Sequence, residues 1–252
     1  MNDKEITQEA QRVAEFARQN DVTLRIMGAT AFRIHCPKYA GLHIGLGREL
    51  SDLDFAGLSK QKDRVVKLVK ETGYPMDRKM EFMMKMYGRY KFQSADTSCV
   101  LDVFFDRLEM CHTIEFSKRL ELDYPTLSLA DLLLEKLQIV QLTDKDIKDA
   151  CVLLLEHEVG QEAPETVDAN YIAQLFSDDW GFYYTATTNL SKIRSALPTL
   201  NPLQDTHKAT ISSRIEGLLE TIETRPKSMG WKMRARIGPS KKWYREVDGT
   251  PD

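Results

Sequence analysis

The spacing of apolar residues changes several times along the chain, and each change marks an element. Ile6, Ala10, Val13, Phe16 and Ala17 recur every three or four residues, which predicts an amphipathic helix over 4–19, ended by Asn20-Asp21. Thr23-Leu24-Arg25-Ile26-Met27 is short, apolar and β-branched, and reads as a first strand. Gly28-Ala29-Thr30-Ala31 turns the chain into a short helix through Ile34, and Pro37, Gly41, Gly45 and Gly47 mark a loop. In Arg48-Glu49-Leu50-Ser51-Asp52-Leu53-Asp54-Phe55 the period falls to two. A strand there places Leu53 and Phe55 in the core and both aspartates on the other face. Val65, Val66, Leu68 and Val69 predict a helix over 63–72, closed by Gly73 and Pro75. Met80 to Phe92 alternates weakly, as a hairpin strand would, and Ser98–Phe105 carries the strongest β-branched and aromatic run of the chain.

After Pro125 the pattern is helical. Ser128 caps a run, Leu132 to Leu142, that is apolar on most faces and interrupted by Glu135, Lys136, Gln138 and Gln141. Thr143-Asp144-Lys145-Asp146 opens a helix that continues to His157, and further helices are predicted over 168–177, 180–196 and 206–224. The expected architecture is an α/β (α+β) domain with a mixed sheet over 1–125, an all-helical domain over 126–224, and a tail over 225–252.

Composition narrows the class without naming it. At 252 residues, 42% apolar and 29% charged, the chain can bury a substantial core. It contains no run long and apolar enough for a membrane span, and its polar first residues lack the apolar segment of a secretory signal, so a cytoplasmic protein is expected. Cys36, Cys99, Cys111 and Cys151 are scattered, with neither zinc nor disulfide spacing, and the five histidines show no ligand spacing either. The net charge of −3 conceals an asymmetry: Arg225–Arg245 holds eight Lys or Arg and no acid, leaving 27 basic and 38 acidic residues elsewhere. Such a tail, which includes Trp231, Trp243 and Tyr244, suits an anionic partner such as RNA, or docks back on the acidic body.

The candidate chemistry is carboxylate chemistry. Asp is disfavoured in strands, and two like charges on one strand face require a cation or a proton. Asp102, inside the apolar run Leu101–Phe105, is costly unless it too meets a cation, whereas Asp106 lies about 13 Å further along the strand and suits a turn. Asp52, Asp54 and Asp102 facing the Gly28 turn can hold two Mg²⁺ ions about 3.5–4 Å apart for phosphoryl transfer. Gly28 allows close backbone approach, and Thr30 adds a hydroxyl donor at a helix start suited to an anion.

Together, Gly28-Ala29-Thr30-Ala31, Arg48-x-x-Ser51-Asp52-Leu53-Asp54-Phe55 and Leu101-Asp102-Val103-Phe104 resemble the nucleotidyltransferase superfamily, the DNA polymerase β-like fold. With Glu135-Lys136-Leu137 and Lys145-Asp146-Ile147-x-Asp149 downstream, the chain is most similar to the abortive-infection nucleotidyltransferases of the AbiEii type. The resemblance covers roughly residues 23–160 and implies transfer of a nucleoside monophosphate from an NTP to an acceptor hydroxyl or phosphate. It implies metal binding and catalysis by Asp52, Asp54 and Asp102. It also implies nucleotide binding by Gly28, Ala29, Thr30, Arg48, Ser51, Lys136, Asp146 and Asp149. Ala29 stands where the family carries Ser or Gly, and the interval from Gly28 to Asp52 is longer than the family's. Two other readings remain open: a catalytically silent NTP- or RNA-binding module, and a toxin held in check by an antitoxin protein. Without the resemblance, Lys136 reads as a snorkelling lysine, and Asp146 and Asp149 as acids favourable to a helix dipole.

Overall fold

A computed structural model describes residues 1–76, 89–161, 164 and 166–247. The first helix, α1 (Asp3–Gln19), starts with a capping box in which the Asn2 side chain and Glu5 satisfy each other's backbone N–H groups. Its buried face is Ile6, Ala10, Val13, Ala14 and Ala17, which matches the expected stripe except that Ala14 is buried and Phe16 only partly so.

Four strands form the central sheet: β1 (Leu24–Met27), β2 (Asp52–Gly57), β3 (Arg89–Gln93) and β4 (Val100–Phe105), in the order β1-β2-β4-β3. The β2–β4 pair is parallel and the two outer pairs are antiparallel, so the sheet is mixed. Burial alternates along β2, with Leu53 and Phe55 fully buried and Asp52 and Asp54 partly exposed, as period-two patterning requires. Arg89–Gln93 alternates likewise, while the earlier part of the predicted hairpin strand, 80–88, lies outside the described residues.

Three elements connect the strands: α2 (Gly28–His35), α3 (Ala40–Gly45) and α4 (Lys62–Glu71). The loop expected over Pro37–Gly47 is corrected by α3, a single short helix that buries His43; its glycines lie within and just after it. A small hairpin, β5 (Arg107–Glu109) and β6 (Thr113–Glu115), follows β4. Asp106 takes the turn position expected for it, with φ of 63°, and accepts a hydrogen bond from the Ser59 amide at 3.0 Å.

The C-terminal region is helical: α5 (Leu129–Leu137), α6 (Asp144–Glu156), α7 (Ala169–Asp178), α8 (Trp180–Ala196), α9 (Asp205–Thr224) and α10 (Met229–Ile237). Two expectations need correction. The run predicted to continue to Leu142 leaves helix at Leu137, because the buried Asn189 amide donates to the carbonyls of Leu137 and Ile139 at 3.0 and 2.6 Å and caps the end. The region is also not all helical: β7 (Val159–Gly160) and β8 (Val167–Asp168) form a short parallel ladder, in which a side chain on Gly160 would meet Thr166. One continuous apolar cluster runs from Ile6 to Ile222, with α2 packed against both α5 and α6. No helix among the described residues is long and apolar enough to cross a membrane.

Among the described residues, the basic tail docks on the protein through carbonyls, hydroxyls and aromatic rings. Arg234 lies over the Trp180 ring at 4.4 Å and donates to the carbonyls of Gly238 and Lys241. The Trp243 indole donates to Thr185 at 3.0 Å, and the Arg245 amide bonds the Cys111 carbonyl at 3.0 Å. Gly181 permits this approach, since a Cβ there would lie 2.7 Å from the Trp243 carbonyl oxygen. Gly181→Ala is therefore expected to lift the strap: hydrogen exchange at the Arg245 amide should accelerate while the α9 amides keep wild-type protection.

Candidate functional site

The site forms where the C-terminal end of β1 meets the N-terminal ends of β2 and β4. Parallel register places Asp54 directly opposite Asp102, and antiparallel register places Met27 opposite Asp54, so Gly28 emerges beside the carboxylates. Gly28 has φ of +63°, and a Cβ there would lie 2.5 Å from Asp54 Oδ2. Only glycine fits this turn. Strand alternation and register thus bring together the four positions picked out from the sequence, Gly28, Asp52, Asp54 and Asp102.

The electrostatics of this cluster are strained. Burial, with the charges of Asp52 and Asp102 added, pushes the Asp54 carboxyl up to about 7. Asp102 is 2% exposed; one oxygen pairs with Arg89 and the other, Oδ1, is buried without a partner. Ser51 donates to Asp52 Oδ1 at 3.0 Å, so its hydroxyl orients a carboxylate. Among the described residues, no three acid, histidine or cysteine side chains converge closely enough, as they stand, to enclose an ion. The cluster nonetheless fits a divalent cation chemically. Arg89 pairs with Asp102, the second Asp102 oxygen is buried without a partner, and Asp54 is raised by burial first and then by the charges of Asp52 and Asp102.

Thr30 is buried, and its hydroxyl donates to the Asp52 carbonyl at 3.4 Å, which ties α2 to β2 in place of the expected phosphate contact. The Gly28 amide is likewise occupied, donating to Glu135 Oε2 at 3.1 Å. Ala29, the second residue of α2, adds an amide at the same turn, and its methyl packs against the core.

A second charged network centres on Asp149 of α6. Asp149 is 1% exposed and accepts from Arg48 Nε at 3.0 Å and Nη2 at 3.1 Å. Lys136 Nζ lies 3.0 Å from Asp149 and 3.5 Å from Asp146, and the Asp146 carboxylate also accepts from the Thr143 amide and hydroxyl as a helix cap. Burial alone would raise Asp149, but Lys136 and Arg48 outweigh it and hold the carboxyl below its ordinary value. Burial would lower Lys136, but Asp149, Asp146 and Glu135 more than offset this, and its pKa is raised. Lys136 is thus a buried ion-pair partner and does not snorkel. Arg48 and Lys136, both expected at the triphosphate, are committed to Asp149. Beside them, burial pushes His43 down to about 4, so its ring is neutral.

Sequence reasoning missed two residues. Glu135, 7% exposed, holds the Gly28 amide, and burial pushes its carboxyl up to about 8. The available signal was an acid within the leucine run Leu132–Leu137. Arg89 pairs with Asp102 across the β3–β4 ladder, though its Cα lies opposite Phe104, and strand register is not readable from sequence. In comparisons with protein-family models, curated proteins and solved structures, nothing matches the chain.

Two measurements check this electrostatic picture. Asp149→Ala strands two buried cations and is expected to cost about 3–5 kcal/mol of stability in urea unfolding. Asp54 and Glu135, held above their ordinary values, bind protons more tightly folded than unfolded, so each loses stability as pH rises from about 4 through about 7 and about 8 respectively. Asp149, held low, titrates below this window. Because a cation requires the ionised carboxylates, Mg²⁺ should raise the melting temperature more at about pH 8 than at about pH 5.

Proposed function

We propose that the chain is a Mg²⁺-dependent nucleotidyltransferase of the DNA polymerase β-like fold, similar to the AbiEii type. It would transfer a nucleoside monophosphate from an NTP to an acceptor hydroxyl or phosphate. The observation that carries the reading is the register of β2 and β4. It sets Asp54 against Asp102 on the face that carries Asp52, beside a glycine turn that opens a helix. The mixed sheet and the helical C-terminal region are compatible with that fold.

In this mechanism Asp52, Asp54 and Asp102 would hold the cations, which would orient the triphosphate. Two bound Mg²⁺ ions would neutralise the phosphoryl oxygens and make the attacking hydroxyl more acidic. The acceptor oxygen bonds to the α-phosphorus as the bond to the β-phosphate oxygen breaks, and pyrophosphate leaves with that electron pair. Asp102 Oδ1, buried without a partner, takes the proton of the acceptor. Arg89, its side chain about half exposed, pairs with Asp102, and a bound cation would take over its role of neutralising that carboxylate. The first-turn amides of α2 after Gly28 face the phosphates. Arg48, Lys136, Asp146 and Asp149 lock the helices that wall the site.

A second reading, a silent NTP-binding module, draws on one observation: Asp102 and the Gly28 amide already have partners within the chain, Arg89 and Glu135. Label transfer separates the two. With α-³²P NTPs and cell extract, wild-type protein should move label to an acceptor, whose identity, RNA or protein, the label then reports. Asp54→Asn should abolish transfer while relieving repulsion, so its melting temperature at about pH 8 should equal or exceed wild type. Unchanged transfer in that variant sinks the mechanism, and Mg-NTP binding without transfer by wild type supports the module.

A further inference from the structure

Glu135 lies on α5, remote in sequence from the strands that carry the carboxylates, yet it reaches their turn. Its Oε2 accepts the Gly28 amide at 3.1 Å, while its Oε1 is buried without a partner. Gly28 in turn lies so close to Asp54 that a Cβ would come within 2.5 Å of Oδ2 and 3.2 Å of Cγ. Glu135, Gly28 and Asp54 therefore form a stack. The helix carboxylate fixes the backbone of the turn, and the turn forms the wall against which the strand carboxylate rests. The N-terminus of α5 is itself pinned. Ser128 caps it, and buried Asp131, one turn before Glu135, is held by Arg119 at 2.8 Å.

We propose that Glu135 is a positioning residue of the cation site, acting through the Gly28 amide to hold Asp54 where Asp52 and Asp102 can share a cation with it. This rests on the cation-binding reading of the three aspartates given above. A residue used only for packing would be served equally by the leucine that occupies 132, 133, 134 and 137 of the same helix. Burying a carboxylate with one oxygen unpartnered is unfavourable, and the hydrogen bond to Gly28 is the specific return on that arrangement. Loss of a group that orients a metal ligand from behind typically weakens metal affinity by about 10–100-fold.

The test is Mn²⁺ affinity, measured by electron paramagnetic resonance on the full chain without nucleotide. Glu135→Leu is expected to weaken Mn²⁺ binding by about tenfold or more. Glu135→Gln keeps an acceptor for the Gly28 amide and is expected to retain most of the affinity. Asp54→Asn, which removes a ligand, should lose binding. Wild-type affinity in Glu135→Leu overturns the proposal while leaving the cation site standing, provided Asp54→Asn has lost it. Equal losses in Glu135→Gln and Glu135→Leu also overturn it, since the carboxylate charge and not the hydrogen bond would then matter. Wild-type affinity in Asp54→Asn overturns the cation site and the proposal together. Should Glu135→Leu not fold, the Gly28 amide decides the matter in the wild-type protein. Slow hydrogen exchange there supports the Glu135 bond, and fast exchange overturns the proposal.

Discussion

Two carboxylates side by side in a desolvated ladder are the constraint around which the structure is built. Neighbouring strands lie about 4.8 Å apart, so ionised Asp54 and Asp102 would repel by roughly 3 kcal/mol in a setting of intermediate dielectric. Two outlets relieve this: a proton, which the raised Asp54 carboxyl favours, or a cation, for which Arg89 is a partial substitute. The Gly28 turn closes one side of the pair, and α5 closes it from behind through Glu135. None of these features serves packing; each makes sense if positive charge arrives from outside.

The Asp149 network is the instructive contrast. It is equally buried, but Lys136 and Arg48 meet Asp149 directly, and Asp146 completes the balance. One network is neutralised within the fold and holds helices together. The other remains short of positive charge. That difference sets a balanced structural ion cluster apart from the carboxylate cluster on which the proposed cation site rests.

The same contrast explains what the sequence could reveal. Period-two alternation made the shared face of Asp52 and Asp54 legible in the sequence, and Asp102 stood out as an acid within an apolar strand. The helices from α6 to α9 were legible from their spacing and caps, as with Thr143 opening α6. What escaped depends on contacts between distant segments. Arg89 reaches Asp102 by a strand register that no local pattern encodes, and Glu135 reaches Gly28 across 107 positions. Leu137 ends its helix because Asn189, from another helix, takes the carbonyls. Thr30 and Arg48 were placed at the ligand because their chemistry suits phosphate, but buried partners had first claim on both.

The chain leaves the sheet in an informative way. Before α5 begins, Pro125 accepts the Ile26 amide at 2.9 Å, and Leu127 donates to the Ile26 carbonyl at 3.0 Å, bridging Thr126 to the free side of β1. The passage between the α/β part and the helical part is thus itself a piece of sheet. It covers an edge that would otherwise present bare amides and carbonyls to other chains. A fragment cut at residue 125 would lose this cover and offer β1 as a template for association. The segment that leads into the helical part therefore closes the edge of the sheet, and the two parts are not interchangeable modules.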